Sequence, residues 1–161
     1  MLYNTLILPH ISYCNIVWGN SSNINTNNIL KLQKRALRLC TGSHYLANTD
    51  PLFHRLHTLK FTDVTILQTA IFMYKLSNNA LSSSFNSIFT FNKDIHRYPT
   101  RISHNFHLSN PKLSLASKSI RHYGPDIWNP LPESIKLCPS LFSFKHSMKK
   151  YLLSKYSPSE I

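Results

Sequence analysis

The first 30 residues of this chain contain no lysine, arginine, aspartate or glutamate, and the first charged side chain is Lys31. Charged residues are rarely buried, so an uncharged stretch of this length predicts packing against other apolar surface. Pro9, His10 and Asn15 interrupt the apolar run LILPHISYCNIVWG, and no basic residue precedes it. These features argue against a signal peptide or a membrane span and favour a buried helix pair, or one helix kinked at Pro9. They also suggest that the chain is the tail of a longer protein whose missing part covers this surface.

The rest of the sequence is strongly basic. The chain has 18 Lys and Arg against 6 Asp and Glu, a formal net charge of +12 at pH 7. Solubility does not require such an excess, and a polyanionic partner is its simplest explanation. Nucleic acid is favoured over a membrane because the basic residues are spread along the chain. The three cysteines form no C-x-x-C pair, which fits a reducing, intracellular compartment.

The clearest amphipathic pattern is NILKLQKRALRLCTG, which predicts a helix from about Asn27 or Asn28 to Gly42. One side is expected to be buried and carries Ile29, Leu32, Gln33, Ala36, Leu37 and Cys40. The other side carries four cations, Lys31, Lys34, Arg35 and Arg38. Cations along about two helical turns can reach several phosphates of a duplex. A solvated helix face is the competing interpretation, and the net charge favours binding.

A chain of 161 residues, 42% of them hydrophobic, is long enough for one domain or two small subdomains. The predicted class is mainly α (α+β), a helical bundle with a small antiparallel β element. Helices are predicted at 50–58, 62–77, 82–91 and 140–156, with Asp50 and either Thr62 or Asp63 as N-caps. The β element is predicted at 92–123, where runs such as RISHNFHL and SIRHY alternate polar and apolar residues.

The segment GPDIWNPLP fixes the backbone around one tryptophan. Gly124 and Pro125 are expected to end the SIRHY strand, and Pro132 to stop the short turn that follows. Trp128 is then expected in the core beneath the last helix, where it buries a large apolar surface. Stacking of Trp128 on a nucleic-acid base is the alternative.

No catalytic residue, metal site or cofactor is predicted. The six acidic residues are isolated in sequence, whereas two-metal chemistry needs clustered carboxylates. His104 and His107 lack further ligands nearby, and three glycines are too few for a phosphate-cradling loop. The segment HRYPTR instead adds Arg97, Tyr98 and Arg101 to the candidate binding residues, because cations beside an aromatic ring can hold a backbone and stack a base. A plain connecting strand is the alternative.

Several short motifs occur in a characteristic order: Pro9, Tyr13, Cys14, Trp18 and Gly19; Leu32 to Ala36 with Arg38; Pro51 to Phe53; Phe72 to Lys75; Thr100-Arg101; GPDIWNPLP; and Phe144-Lys145 with Lys149. In this order and spacing, the chain from about Leu2 to Tyr156 resembles the region that follows the catalytic palm in reverse transcriptases of non-LTR (LINE-like) retrotransposons.

The resemblance implies a thumb-like helical segment at 1–45, which holds a primer-template duplex by its backbone, and a C-terminal region of the reverse transcriptase at 46–157. Structural roles are further predicted for Trp18, Gly124, Pro125, Trp128 and Pro132. The catalytic Tyr/Phe-x-Asp-Asp strand is absent from this sequence, so polymerase activity does not carry over. Where relatives tend to have Leu-Pro, this chain has Leu81-Ser82.

The expected function is therefore a non-catalytic fragment of a retrotransposon reverse transcriptase that holds RNA or an RNA/DNA duplex through basic residues. Two alternatives remain open. The chain is either a protein-interaction piece whose uncharged residues 1–30 pack on a missing polymerase core, or a decayed element product without function.

Overall fold

The structure is a computed structural model and describes residues 2–95, 98 and 100–156. This part of the chain is mainly helical and contains no β-strand. The predicted mainly α class is therefore confirmed. The antiparallel β element predicted at 92–123 is wrong, because the described residues of that stretch form helices, turns and irregular backbone instead.

The first elements are a π-helical turn at Tyr3–Ile7 and the helices α1 (Leu8–Ser12), α2 (Asn15–Trp18), α3 (Asn23–Thr41) and α4 (Asp50–Arg55). The middle of the chain contains α5 (Phe61–Ser77), a 3₁₀ turn at Ser83–Phe85, α6 (Asn92–Ile95) and α7 (Ser114–Ser117). The last elements are α8 (Ile120–Trp128), α9 (Glu133–Lys136), α10 (Leu141–Leu153) and a 3₁₀ turn at Ser154–Tyr156.

These elements form two compact units, one of Met1–Gln68 with Lys145–Ile161 and one of Thr69–Phe144. The most deeply buried apolar side chains of the first unit are Leu37, Phe53, Phe61, Met148 and Leu152. Those of the second unit are Ala70, Met73, Phe106 and Phe144. The division near residue 45 that the resemblance implies stays a prediction.

The uncharged beginning of the chain is helical, but it is only partly buried. Tyr3, Ile11 and Asn15 are buried, whereas Tyr13 and Val17 are 76% and 83% exposed. Pro9 is the second residue of α1, which follows the π-helical turn directly. Helical segments of four and five residues cannot align all their apolar side chains on one face, so this chain alone buries the segment only in part, and its cover by a missing part of a longer protein stays a prediction.

Tyr156 attaches the end of the helical region to the start of α5. Its hydroxyl donates a hydrogen bond to Asp63 Oδ2 and accepts one of 3.0 Å from the Lys60 N–H. Lys60 Nζ lies 3.1 Å from Asp50 Oδ1 and 4.7 Å from the centre of the Tyr156 ring. Burial raises the pKa of Tyr156, and hydrogen bonding to Asp63 raises it further.

Both predicted N-caps are displaced by one or more residues. Asp50 is the first residue of α4, and Thr49 occupies the cap position before it. The helix α5 begins at Phe61, so Thr62 and Asp63 lie inside its first turn. Asp63 instead accepts the bond from Tyr156, a contact 93 residues distant in sequence. A local capping pattern cannot distinguish these two uses of a carboxylate.

The helix predicted at 82–91 is reduced to the 3₁₀ turn Ser83–Phe85. Serine hydroxyls compete for the local backbone, and Ser87 Oγ donates to the Ser84 carbonyl at 2.9 Å. The aromatic residues of this stretch pack nonetheless. Phe85 and Phe89 contact Phe72 of α5 with ring centres 5.4 and 6.0 Å apart.

One antiparallel bridge, between Phe91 and Phe106, is all that forms of the predicted β element in the described residues. The Asn92 N–H donates to the Asn105 carbonyl at 3.0 Å, and the His107 N–H donates to the Thr90 carbonyl at 2.8 Å. The other side of Phe106 bonds to the Asn129 side chain, which accepts from the Phe106 N–H at 3.1 Å and donates to its carbonyl at 2.9 Å.

The SIRHY segment begins α8 and is not a strand, so Gly124 and Pro125 lie inside a helix. Ile120, Gly124 and Trp128 are spaced four residues apart and therefore share one face of the helix. The alternation of polar and apolar residues in SIRHY, which suggested a strand, made this helical spacing hard to recognise. Trp128 is 6% exposed, and its ring lies 6.0 Å from the buried Phe144 of α10. Its predicted packing beneath the last helix is confirmed. Pro132 is exposed at the N-cap of α9.

Candidate nucleic-acid interface

The helix α3 carries the four predicted binding cations. It begins at Asn23, earlier than predicted, because the polar residues before Asn27 form its first turn. The Thr26 N–H bonds to the Ser22 carbonyl at 3.1 Å and starts the helical ladder. Gly42 ends the helix as predicted, in the left-handed conformation with φ of +62°, and the Ser43 N–H returns to the Arg38 carbonyl at 3.0 Å.

Gln33 fixes the rotation of α3 about its own axis. Its side chain is 2% exposed, and Nε2 donates to Tyr3 Oη at 2.6 Å and to the Leu59 carbonyl at 2.8 Å. Oε1 accepts from the Phe61 N–H at 2.8 Å. Gln33 was predicted on the buried side, and these three bonds explain how a polar residue is tolerated there.

The buried side of α3 is narrower than predicted. Gln33 and Leu37 are buried one helical turn apart, whereas Leu32 is 65% exposed and Cys40 is also exposed. The predictions for Leu32 and Cys40 are therefore wrong. Leu32 lies about 100° from Gln33 around the helix axis and so falls outside the packed surface, whereas Cys40 lies on the same side as Gln33 but near the exposed end of α3.

The cationic face of α3 consists of Lys31, Lys34, Arg35 and Arg38. At 3.6 residues per turn these side chains leave the helix within an arc of about 100°, over a length of about 10 Å. Lys31 and Arg35 are exposed, and the other two are half-buried. Arg38 Nε donates to the Ala47 carbonyl at 3.0 Å and so fixes the loop after α3.

No carboxylate among the described residues pairs with the cationic face of α3. The one salt bridge in this part of the chain joins Lys60 to Asp50. The four cations therefore keep a local positive potential that an intramolecular partner does not neutralise. Such a surface attracts phosphates, and the attraction weakens as salt is added.

The second predicted group lies in the other unit. Tyr98 is 82% exposed and Arg101 is exposed, while Arg97 lies outside the described residues. The turn at Arg101 is closed by a 3.0 Å bond from the Ser103 N–H to the Thr100 carbonyl. The structure thus brings together the four α3 cations and assigns Tyr98 and Arg101 to a separate unit.

The remaining predicted residues have structural positions. Trp18 stacks on Phe61 with ring centres 5.4 Å apart, and its Nε1 donates to the Tyr13 carbonyl at 2.8 Å. Among residues 2–95, 98 and 100–156, no group of three or more His, Cys, Asp or Glu could hold a metal ion. No helix in this described part of the chain is long and apolar enough to cross a membrane.

Sequence reasoning missed a cleft between α4 and α10 that is lined by His54, His57, His146, Lys149 and Lys150. The four lysines near the end of the chain, Lys145, Lys149, Lys150 and Lys155, do not share one helix face and so form no basic stripe in the sequence. The sequence feature that indicates this wall of the cleft is the i, i+3, i+4, i+7 spacing of His146, Lys149, Lys150 and Leu153, which places them on one helix face. His54 and His57 supply the opposite wall from a separate part of the chain.

Comparisons of the chain with protein-family models, with curated proteins and with solved structures found no match. An assignment of function therefore depends on the residues of this chain and their geometry. Within the described residues, the cationic face of α3 and the cleft between α4 and α10 are two groups of basic side chains that no carboxylate pairs with.

Proposed function

We propose that this chain is a non-catalytic nucleic-acid-binding protein that holds the sugar-phosphate backbone of RNA or of an RNA/DNA duplex with the cationic face of α3. The observation that carries the proposal is that Lys31, Lys34, Arg35 and Arg38 lie within one arc of a helix and form no salt bridge among the described residues. Because α3 is fixed by Gln33 and ended by Gly42, these cations are presented on a rigid element, which lowers the entropy lost on binding.

The net charge of +12 supports the same proposal. A protein with this excess of cations attracts polyanions from a distance, and the cationic face of α3 then provides specific phosphate contacts. Tyr98 and Arg101 are exposed, which leaves them available for base stacking and a further phosphate contact.

The resemblance to the thumb and C-terminal region of LINE-like reverse transcriptases leads to the same function by another route. We propose that the chain derives from such a polymerase and holds its template-primer without taking part in catalysis. An in-frame Tyr/Phe-x-Asp-Asp motif in the genomic sequence upstream of Met1 is the expected finding, and an unrelated upstream reading frame would contradict this origin.

The test of binding is a salt titration with a fluorescent RNA/DNA duplex, read by anisotropy. The quadruple variant Lys31→Gln, Lys34→Gln, Arg35→Gln and Arg38→Gln is expected to bind at least about tenfold more weakly at low salt. The slope of log affinity against log salt should fall by about 0.9, the value for duplex DNA, for each phosphate that the variant no longer neutralises.

The matched control removes the same four charges elsewhere, at the exposed residues Lys93, Lys112, Arg121 and Lys145. The control variant should keep most of the affinity and the slope of the unmodified protein. Equal losses in the two variants would show that net charge alone drives binding. Binding that is absent at low salt, or independent of salt, would contradict the proposal.

A protein-interaction surface is the second candidate function, and one observation favours it. The uncharged beginning of the chain exposes Leu6, Tyr13, Val17 and Ile24 by 61%, 76%, 83% and 74%. Exposed apolar side chains in such a group are typical of interfaces with other proteins. If this surface binds a polymerase core, co-expression with a palm domain should yield a stable complex on size-exclusion chromatography, and Val17→Ser with Tyr13→Ser should abolish it.

A further inference from the structure

The cleft between α4 and α10 has an unusual lining. Its cavity volume is about 630 Å³, within the range of small-molecule sites, and it opens to solvent. One wall carries His54 and His57, whose ring centres are 6.2 Å apart. The other wall is the face of α10 that carries His146, Lys149 and Lys150, with Leu153 beside them. Three imidazoles and two ammonium groups therefore converge on one space.

No carboxylate of the described residues lines this cleft. The two carboxylates in the described part of the first unit are engaged elsewhere, Asp50 with Lys60 and Asp63 with Tyr156. The lysines of the cleft thus have no intramolecular counter-ion there, and an anionic ligand is the chemistry that complements them. The described histidines, cysteines and acids include no group of three that could hold a metal, so the imidazoles are better suited to an anion with an apolar part.

Two local features single out the segment at His57 and Thr58. His57 has a left-handed backbone, with φ of 48°, which is strained for a residue other than glycine. It also lines two neighbouring cavities of about 380 and 150 Å³. Thr58 lines both of these, is 6% exposed, and its hydroxyl has no hydrogen-bond partner. Thr58 does not line the cleft itself, whereas His57 does, and a strained backbone at a cavity wall is typical of ligand sites.

The size and the mixed lining indicate more than a bare anion. The imidazole rings and Leu153 provide flat and apolar surface, and histidine is among the side chains on which bases stack. Lys149 and Lys150 supply point charges of the kind that bind phosphate. A ligand that carries both a phosphate and an aromatic base can bind the lysines with its phosphate and pack its base against the imidazoles and Leu153.

We propose that the cleft between α4 and α10 binds a nucleoside 5′-monophosphate group, with the phosphate on Lys149 and Lys150 and the base against the imidazoles. The group is either a free nucleotide or the 5′-terminal residue of a strand. This site is a different set of residues from the cationic face of α3, and it does not depend on the duplex binding proposed above.

Isothermal titration calorimetry of the full chain with AMP, adenosine and inorganic phosphate tests the proposal. AMP is expected to bind in a saturable manner and at least tenfold more tightly than either adenosine or phosphate. The variant Lys149→Gln with Lys150→Gln should weaken AMP binding at least tenfold. The matched control, Lys145→Gln with Lys155→Gln, removes two charges from the same end of the chain and should change the affinity less than twofold.

A second variant separates loss of binding from loss of folding. His57→Gly removes one imidazole from a residue whose backbone already has a conformation that glycine favours. Weaker AMP binding at an unchanged or higher melting temperature is expected. Unchanged AMP affinity in this variant, equal losses in the two lysine variants, or phosphate binding as tight as AMP would each overturn the proposal.

Competition with short RNA distinguishes the two sources of the nucleotide group. Displacement of AMP by 5′-phosphorylated RNA but not by 5′-hydroxyl RNA assigns the site to a strand end, and displacement by neither assigns it to free nucleotide. The quadruple α3 variant should keep AMP binding, whereas the Lys149→Gln, Lys150→Gln variant should keep the duplex salt slope. Failure of one proposal therefore leaves the other measurable.

Discussion

Tyr156 and Asp63 form a polar contact whose strength depends on protonation. Burial raises the pKa of Tyr156 above its ordinary value of 10.0, and the bond to Asp63 adds to the effect. Burial also raises the pKa of Asp63, an effect that the bond from Tyr156 partly offsets. The raised pKa of Asp63 changes the free energy of unfolding only at acidic pH, so it does not contribute to changes in stability at alkaline pH.

Stability is expected to fall above about pH 10 because of Tyr156. In the unfolded chain the phenol loses its proton there, whereas the folded chain retains it, so the folded state binds more protons and the free energy of unfolding decreases as pH rises. The variant Tyr156→Phe is expected to be less stable near pH 8 by about 1–3 kcal/mol, because it cannot form the bonds to Asp63 and Lys60. That deficit should shrink between about pH 9 and 11.

Thermal unfolding followed by circular dichroism at several pH values measures the deficit. Tyr45→Phe is the control, because Tyr45 is 72% exposed and its substitution should leave the pH profile unchanged. A deficit for Tyr156→Phe that stays constant up to about pH 11 would show that Tyr156 titrates equally in the folded and unfolded chain.

At the level of helices, the contact between α8 and α5 depends on a glycine. A Cβ atom added at Gly124 would lie 2.7 Å from Met73 Sδ, and Met73 is fully buried. Helix propensity alone predicts that Gly124→Ala adds about 1 kcal/mol of stability. Overpacking against Met73 costs about 1–3 kcal/mol, and we expect this cost to exceed the gain, so that the variant is less stable than the unmodified protein.

Chemical denaturation of the Gly124→Ala variant measures whether the free energy of unfolding rises or falls. The double variant Gly124→Ala with Met73→Ala should be more stable than the sum of the two single effects, because removal of the thioether makes room for the added methyl group. Gly42→Ala serves as the comparison, since its Cβ would meet nothing within 4 Å and its cost of about 1–2 kcal/mol comes from the left-handed backbone alone. Additive effects at Gly124 and Met73 would contradict close packing.

The helices that the sequence predicts correctly are those with their own local signals. A repeating apolar face and a terminal glycine locate most of α3, and an apolar run locates α5. The helix α8 escapes prediction because Gly124 and Pro125 are strong local stop signals. They are tolerated because Gly124 allows close contact with Met73, a neighbour about 50 residues earlier in the sequence. Long-range contacts of this kind are not visible in a local pattern.

For the whole molecule, the excess of positive charge predicts a dependence of stability on salt. The net charge is +12, and one salt bridge joins oppositely charged side chains in the described residues. Repulsion among like charges destabilises the compact state, and added NaCl screens it. The melting temperature is expected to rise by a few degrees between low and moderate NaCl, since about 1 kcal/mol corresponds to about 2–4 °C in a chain of this size.

Differential scanning calorimetry in NaCl of increasing concentration measures this rise. The variant with Gln at residues 93, 112, 121 and 145 should melt higher at low salt and respond less to NaCl, because four repelling charges are gone. A melting temperature that falls with salt would indicate that local attractions outweigh the net repulsion.

The sequence located one of the two basic surfaces. The cationic face of α3 lies on a single helix, so its four residues are recognisable from spacing alone. The cleft between α4 and α10 requires His54 and His146 to meet although they lie far apart in the chain, and no local pattern indicates that proximity. The uncharged beginning of the chain shows that composition alone does not determine burial. Its lack of charge predicted buried side chains, but its short helical segments leave much of it exposed in this chain.

The amide of Asn129 has a further effect on how the protein behaves at high concentration. Phe106 belongs to a single antiparallel bridge, and its outward N–H and carbonyl would otherwise form an open edge. Such an edge is a template onto which a second chain can add a strand, especially where aromatic residues flank it. The Asn129 side chain bonds to both groups and completes the pairing within the molecule. We therefore expect this one asparagine to hinder strand addition, and with it fibrillar aggregation, at an aromatic-rich segment.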